Sequence, residues 1–589
     1  MNTARDGVEL AVLASRFESI IRAMRNTLVR TARSGVINTA RDFSCCVLTG
    51  NDEFLAMAES LPIHMVSGPD LMAKVMKEFH PDLSRGDAFL HNSPYHGNSH
   101  AADHSILVPV IDESGVHHFT VLAKAHQADC GNSVPTTYVP DARDVYEEGA
   151  LIFPCVRVQR DYSDCEDIIR MCRSRIRVPD QWWGDYLALV GAVRVGERRL
   201  LELGAELGWD TLHDYSAAWL DYSEQRMEAT IERLPAGLVT VTTAHDPFPG
   251  VPEGVPLTVT AQVRPEERVI EIDLRDNPDC QPCGLNLSEA CARTAAITGV
   301  MNSIDHTVPA NGGSFRRVRV HLRENCVVGI PRHPVSCSIA TVNVADRVAN
   351  AVQRALASLQ DGVGLAEVGL SQPMAAAVIS GRDPRAGNEV FINQLMLSMS
   401  SGGAGPVADG WLGGGCVGNG GVLAHDSIEV DEIRHPIRVH AQRILPDTEG
   451  AGRLRGGPGS FVEYGPVGCD LDVLWASDGS VNPAEGARGG LAGAPARQFL
   501  RTPEGELVGL DPYGRMVLGE AERIVSFSCG GGGYGVPHER DPARVRRDVE
   551  EGWVSPDRAE RVYGVVLLPD GSVDLQATVV KRGALAASD

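Results

Sequence analysis

From Ser105 to His126 the sequence reads SILVPVI, DESG, VHHFTVLAKAH: two apolar runs around the turn residues Asp112, Glu113, Ser114 and Gly115. Apolar runs either side of a short polar turn predict an antiparallel hairpin. That pairing dictates what meets at the open end. With Ile111 facing Val116, His126 falls opposite Ala101, give or take one residue for bulges. His100, Asp103 and His126 are therefore expected to converge, because facing Cα atoms lie only about 4.5–5.5 Å apart. Pro109 interrupts the first run, so its strand is expected at a sheet edge or beside a bulge.

The spacing of His96, His100 and His104 would align three rings on one helical face, but Pro94, Gly97 and Asn98 disfavour a helix there. The hairpin gives the better geometry. Two imidazoles and a carboxylate suit Zn²⁺, Mn²⁺ or Fe²⁺ and leave positions for water or substrate. Asp42 lies at the open end of a second predicted hairpin, RDFSCCVLTGNDEFLAMAES, and is a candidate fourth ligand. The same residues equally describe histidines that bond to backbone at a domain surface. Spacing alone does not choose between these readings.

At 589 residues the chain exceeds one hydrophobic core, so about two to four domains are expected. Leu10, Leu13, Phe17, Ile20, Ile21, Met24 and Leu28 recur at helical spacing. Residues 161–230 read as helix, with one apolar stripe ended by Gly208. LPAGLVTVTTAHD, PLTVTAQV and VIEIDLRD alternate with period two and predict strands, and DRVANAVQRALASLQ predicts a helix beside them. Beyond about residue 400, Gly-rich stretches such as SSGGAGP, WLGGGCVGNGGV, RLRGGPGS and CGGGGYG separate short β-type runs. A helix, PARVRRDVEEGW, and a last strand pair near YGVVLLPDGSVDLQATVV close the chain. The expected architecture is mixed α/β (α+β) and multidomain. It comprises a metal-site domain over 1–232, a middle α/β domain over 233–400 and a Gly-rich, β-rich domain over 401–589.

The formal charge of −23 repels phosphate backbones, which argues against a nucleic-acid partner. The first residues lack a signal-peptide pattern, and no apolar run is long enough for a membrane span. Fourteen irregularly spaced cysteines suggest reduced thiols in a cytoplasm. Cys280 and Cys283, with Cys291 nearby, form only a single CxxC, a weak sign of metal or redox chemistry. Cys45 and Cys46 read as core. CGGGGYG lacks the Lys-Ser/Thr ending of a phosphate-binding loop, and tight turns are its expected role.

The stretches RDFSC, NSPYHGNSHAADH, AHQADCGN, SRIRVPDQWWGDYLALVGAVRVGERRL, LPDTEGAGRLRGGPGS and GGGGYGVPHERDPARVRRDVEEGWVSPDRAERVYGVVL carry a resemblance. Through them the chain resembles the hydantoinase B/oxoprolinase family over nearly its whole length. The resemblance implies one half of a two-component, hetero-oligomeric enzyme. An A-type partner binds ATP with its magnesium and phosphorylates a carbonyl oxygen, and the B-type half completes the reaction at one divalent metal. Carried over, the metal ligands fall on His100, Asp103 and His126, with Asp42 as a fourth. Asp129, three residues after His126, is a candidate general base or a partner to a metal ligand. One branch of the family hydrolyses small cyclic amides of hydantoin, oxoproline or lactam type, and by chain length this is the first expectation. Another branch carboxylates ketones, and the pair His126-Gln127 resembles that branch instead. A non-catalytic scaffold subunit is the third reading. Ser93 and Asn98 depart from the family's DPYxGGTH pattern.

Overall fold

A computed structural model describes residues 7–57, 61–370, 372–413, 417–418 and 423–587. The end of the second predicted hairpin (58–60) and most of the Gly-rich stretch 411–422 lie outside the described residues.

The hairpin is the centre of a seven-stranded sheet. Its strands are β1 (Phe43–Thr49), β2 (Phe54–Met57), β3 (Ala88–His91), β4 (Asp103–Ile111), β5 (His117–His126), β6 (Val156–Arg160) and β7 (Ser163–Asp164), in the order β2-β1-β5-β4-β3-β6-β7. The register differs from the sequence expectation by two residues, for two reasons. Asp112, not Ile111, meets Val116, because the Asp112 carboxylate caps the turn by accepting from the Ser114 and Val116 N–H groups, both at 2.9 Å. A bulge between Val110 and Ile111 adds the second residue. Asp103 itself therefore faces His126. Pro109 sits beside that bulge and not at an edge, and pairing with β3 reaches only Leu107, so its missing N–H costs no ladder bond.

The sheet is covered on both faces, which is why its strands read as near-continuous apolar runs. Val108, Val110, Val121 and Ala123 face the helices Gly7–Thr31 and Pro179–Leu207 in one core, which also holds Phe17, Ile21, Met24 and Leu189. Leu107 and Leu122 point the other way, onto Met72 and Met76 of the Pro69–Phe79 helix.

A second sheet joins Gly237–His245, Val255–Arg264, Val269–Asp273 and Val318–His321, the last two parallel with the Glu289–Ser303 helix between them in sequence. Beyond residue 370, two further sheets enclose a core of Met374, Ile379, Val462, Tyr464, Val473 and Trp475. The chain is thus a multidomain α+β protein. No described helix is long and apolar enough to cross a membrane. The described cysteines, including Cys280 and Cys283, are unpaired.

Two Gly-rich or terminal expectations are corrected. CGGGGYG forms no turn at Gly530, Gly531, Gly532 or Gly533, and only Gly535, at φ +72°, bends the chain. The stretch runs as an extended rod through the last part of the chain. Gly530, Gly531, Gly532 and Gly533 donate in turn to the carbonyls of Ala494, Gly457, Glu367 and Leu491 at 2.8–3.1 Å. Its own carbonyls accept from Gly450, Ala404 and Ala487. A methyl group at Gly531 would collide with the Gly402 carbonyl, and one at Gly530 with that of Thr448. Only glycine lets backbones approach this closely on every side. The final predicted strand pair is a single bridge between Leu567 and Val573, followed by a helix, Leu575–Ala586. Asp574 starts that helix by accepting from the Gln576 and Ala577 N–H groups.

Gly531→Ala is expected to destabilise by about 3 kcal/mol or more, or to prevent soluble expression, because the collision is with backbone that cannot move aside. Gly583→Ala, in the terminal helix with open space around it, is expected to be neutral or stabilising by up to about 1 kcal/mol. Thermal melts of the two variants beside the parent check both.

Candidate metal centre

Asp103 opens β4 and His126 ends β5, so the ladder itself sets the two side by side. His100 comes from the loop before β4. Asn98 shapes that loop: its amide donates to the carbonyls of His100 (2.8 Å) and Asp103 (2.9 Å) and accepts from Ser105 Oγ. Ser93 bonds His96 Nδ1 at 2.8 Å, so both departures from the family pattern hold the loop's shape. Asp42 precedes β1, where its carbonyl accepts from the His126 N–H and so extends the β1–β5 pairing to the site.

His100 Nε2 and His126 Nδ1 each lie 3.0 Å from Asp103 Oδ1. One ligand atom from each of the three residues falls within 4.8 Å of the other two. The outer ring nitrogens decide the tautomers. His100 Nδ1 faces the Ser338 carbonyl at 2.7 Å and must carry a hydrogen. The Thr137 hydroxyl gives its one hydrogen to the Gln127 carbonyl, so it accepts from His126 Nε2 at 2.7 Å. In the neutral rings, both inner nitrogens then present lone pairs to a carboxylate oxygen. That arrangement is repulsive unless a proton or a cation lies between them. Outer nitrogens bonded to oxygen, inner nitrogens converging, is how metal-ligating histidines are oriented. The donor set therefore fits a divalent metal.

With no metal between them, a proton fills that role: burial opposes ionisation of Asp103, but His100, His64 and the hydrogen bonds that protonated His100 and His126 would donate outweigh it and hold this carboxyl well below its usual range. Burial likewise opposes charge on His100, yet Asp103 raises its pKa. Burial raises Asp42, partly offset by His126 and His64. His104 and His91, close in sequence, stay outside the group: burial lowers each to about 3, and His104 Nδ1 accepts from Trp182 Nε1.

His64, on the one-turn helix Pro62–Met65, has no signal in the sequence. Its Nε2 lies 3.4 Å from Asp42 Oδ1 and 3.3 Å from Asp103 Oδ2, and so bridges the two carboxylates. Thr137 and Ser338 were equally invisible, because their part depends on tertiary contact. Asp129 is placed differently. Its oxygens accept from the N–H groups of Arg177 (2.6 Å) and Gly131 (3.0 Å), and it does not line the pocket at the cluster. That pocket is bounded by Asp42, His64, His100 and His126 on one side and by Tyr138, Ile339, Gln394 and Met396 among others. Its open space is tight, about 30 Å³.

Over residues 6–537 the sequence matches the family described as Hydantoinase B/oxoprolinase. It is 32% identical to caprolactamase subunit beta from Pseudomonas jessenii over 99% of this chain and 100% of that one. The crystal structure of the ATP-dependent caprolactamase from Pseudomonas jessenii superposes with a TM-score of 0.89 at 28% identity, covering 99% of this chain and 100% of that chain. Nucleotide-free acetone carboxylase shares the fold, with a TM-score of 0.86 at 16% identity over 99% of this chain and 83% of that chain.

The purified protein is expected to carry about one divalent metal, and His126→Ala to lose most of it. His64→Ala is expected to weaken metal binding by about 10–100-fold while leaving the ligands in place. Elemental analysis and competition with a chelator measure both. Full metal retention by His126→Ala would exclude this ligand set.

Proposed function

The chain belongs to the hydantoinase B/oxoprolinase family, and from that premise we propose that it is the metal-dependent B-type subunit of a two-component, ATP-dependent hydrolase of cyclic amides. The observation that carries the reading is the convergence of His100 Nε2 and His126 Nδ1 on Asp103 Oδ1, each at 3.0 Å. It occurs in a chain that aligns end to end with a caprolactamase subunit. The alignment with a protein named as a subunit supports a hetero-oligomer with an A-type partner, and the acidic composition and the unpaired described thiols support a cytoplasmic place for it.

An amide carbonyl is a poor electrophile. In this reading the A-type partner, using ATP and magnesium, phosphorylates the amide oxygen, and this chain completes the hydrolysis. Asp42, His100, Asp103 and His126 would hold a divalent cation, zinc or manganese before iron. Such a cation, when bound, supplies Lewis acidity and a water acidified to a pKa of about 7. Ser338 and Thr137 keep the two rings turned inward, and His64 keeps the two carboxylates together. Leu61, Ile63, Ile339 and Val342 exclude bulk water from the activated substrate. The open space suits an ion and a water but not a ring. Asp129 serves as an anchor for the turn after β5, since its oxygens are taken by Arg177 and Gly131.

Carboxylation is the second reading, and Gln127 is the residue that favours it. Its side chain donates to the Ala125 carbonyl at 3.1 Å and does not line the pocket, which removes the contact by which it would steer the chemistry.

The test is reconstitution with a co-expressed A-type subunit. The complex is expected to consume ATP with lactam- or hydantoin-type substrates in CO₂-depleted buffer, and ¹⁴C-bicarbonate is expected to stay out of the product. Bicarbonate-dependent turnover of a methyl ketone, with label in a carboxylate, would establish the carboxylase instead.

A further inference from the structure

Lys124 is the one buried lysine among the described residues, at 0% exposure. It precedes His126 by two residues on β5, so both side chains stand on the same face of the sheet. Its facing residues are serines, Ser105 on β4 and Ser44 on β1. Both hydroxyl hydrogens are spent: Ser105 Oγ donates to Asn98 Oδ1 at 3.0 Å, and Ser44 Oγ donates to the Leu61 carbonyl at 3.3 Å. Further along this face lies the apolar core of Cys46, Leu107, Leu122 and Met72.

A buried ammonium is held only where an opposite charge answers it. Lys124 forms no ion pair among the described residues, and its hydrogen bond identifies the charge that answers it. Nζ lies 3.4 Å from Ser99 Oγ. Ser99 gives its one hydrogen to Asp103 Oδ2, so towards Lys124 it can only accept. The serine thus joins ammonium to carboxylate in one line. Burial lowers the Lys124 pKa, and Asp103 leads the groups that hold it up. The two oxygens of Asp103 are thereby made unlike. Oδ2 is taken by Ser99, while Oδ1 lies 3.0 Å from both His100 Nε2 and His126 Nδ1. No lysine or arginine lines the pocket at the cluster, so Lys124 reaches it through Ser99 and Asp103 alone.

We propose that Lys124 is the resident cation of the metal centre, a positioning residue that acts on Asp103 through Ser99. Without a metal it answers the Asp103 charge. With one it keeps Oδ2 engaged, so that Oδ1 meets the ion, and its own charge opposes that of the ion. The lysine therefore keeps the metal-free centre stable and the bound metal exchangeable. The inference rests on the metal reading of the cluster and concerns how tightly the ion is held.

The experiment measures zinc and manganese affinity of the full chain by competition with a chelator, in the parent and in Lys124→Met. Methionine fills much of the same space without the charge. The variant is expected to bind each metal at least about tenfold more tightly, because a positive charge close to a divalent ion is gone. A lysine that serves only to pack gives the reverse, since its loss loosens the ligands. Melting in excess chelator is the second measurement. Asp103→Asn strands the ammonium, so adding Lys124→Met to it is expected to hold or raise the melting temperature, whereas two independent losses add. That comparison needs only Asp103→Asn and the double variant, and it stands even where Lys124→Met alone does not fold. Weaker or unchanged metal affinity in Lys124→Met, or a double variant that melts below Asp103→Asn, would each overturn the assignment. A parent chain that binds neither metal defeats the metal reading beneath it, and the melting comparison, made without metal, still decides whether Lys124 answers Asp103.

Discussion

A fully buried carboxylate must be neutralised where it sits, and in this chain that requirement falls on Asp103. It is shielded from solvent at the centre of a seven-stranded sheet, facing His126 across the ladder. Ser99 donates to one of its oxygens, and His100, His126 and His64 surround the rest. An unpaired charge in such a place would cost several kcal/mol. The surrounding elements answer it. The loop tied by Asn98 delivers His100, the end of β5 delivers His126, and a one-turn helix before Pro69–Phe79 delivers His64. Remove the charge and these contacts have no common purpose.

The hairpin, the long amphipathic helices and the alternating strands of the second sheet were legible because each depends on local periodicity. The Leu10–Leu28 spacing gives the Gly7–Thr31 helix, and the PLTVTAQV alternation gives a strand that buries every second residue. The convergence of His100, Asp103 and His126 was legible too, even with the register two residues out. A shift of two keeps each side chain on its face of the sheet, where a shift of one would have turned His126 away. What stayed hidden has no period. His64, Thr137, Ser338 and Gln394 lie in four separate segments and meet the cluster only through tertiary packing. Asp129 shows how little proximity in sequence fixes: three residues from His126, its carboxylate accepts from the N–H groups of Arg177 and Gly131.

The glycine rod was read as a set of turns because a run of glycines carries no pattern of faces. Side-chain periodicity, the usual guide, is silent where there are no side chains. The rod's partners are carbonyls and N–H groups from Glu367, Ala404, Gly450, Gly457, Ala487, Leu491 and Ala494, so it stands as a backbone core where most cores are built of side chains.

That construction bears on how the molecule is made. The rod's neighbours lie between about 35 and 165 residues upstream of it, and every one of its hydrogen bonds closes a long loop. Such contacts reward the chain only after their entropy cost has been met, so this region belongs among the last to become native. During synthesis from the N-terminus, the segments around residues 402–404, 450–457 and 484–494 are complete before Gly530 exists, with their backbone groups open to one another and to other chains. Unpaired edges of that kind are where association begins. A chain that ends before Cys529 therefore leaves these backbone groups without the partners that the rod supplies.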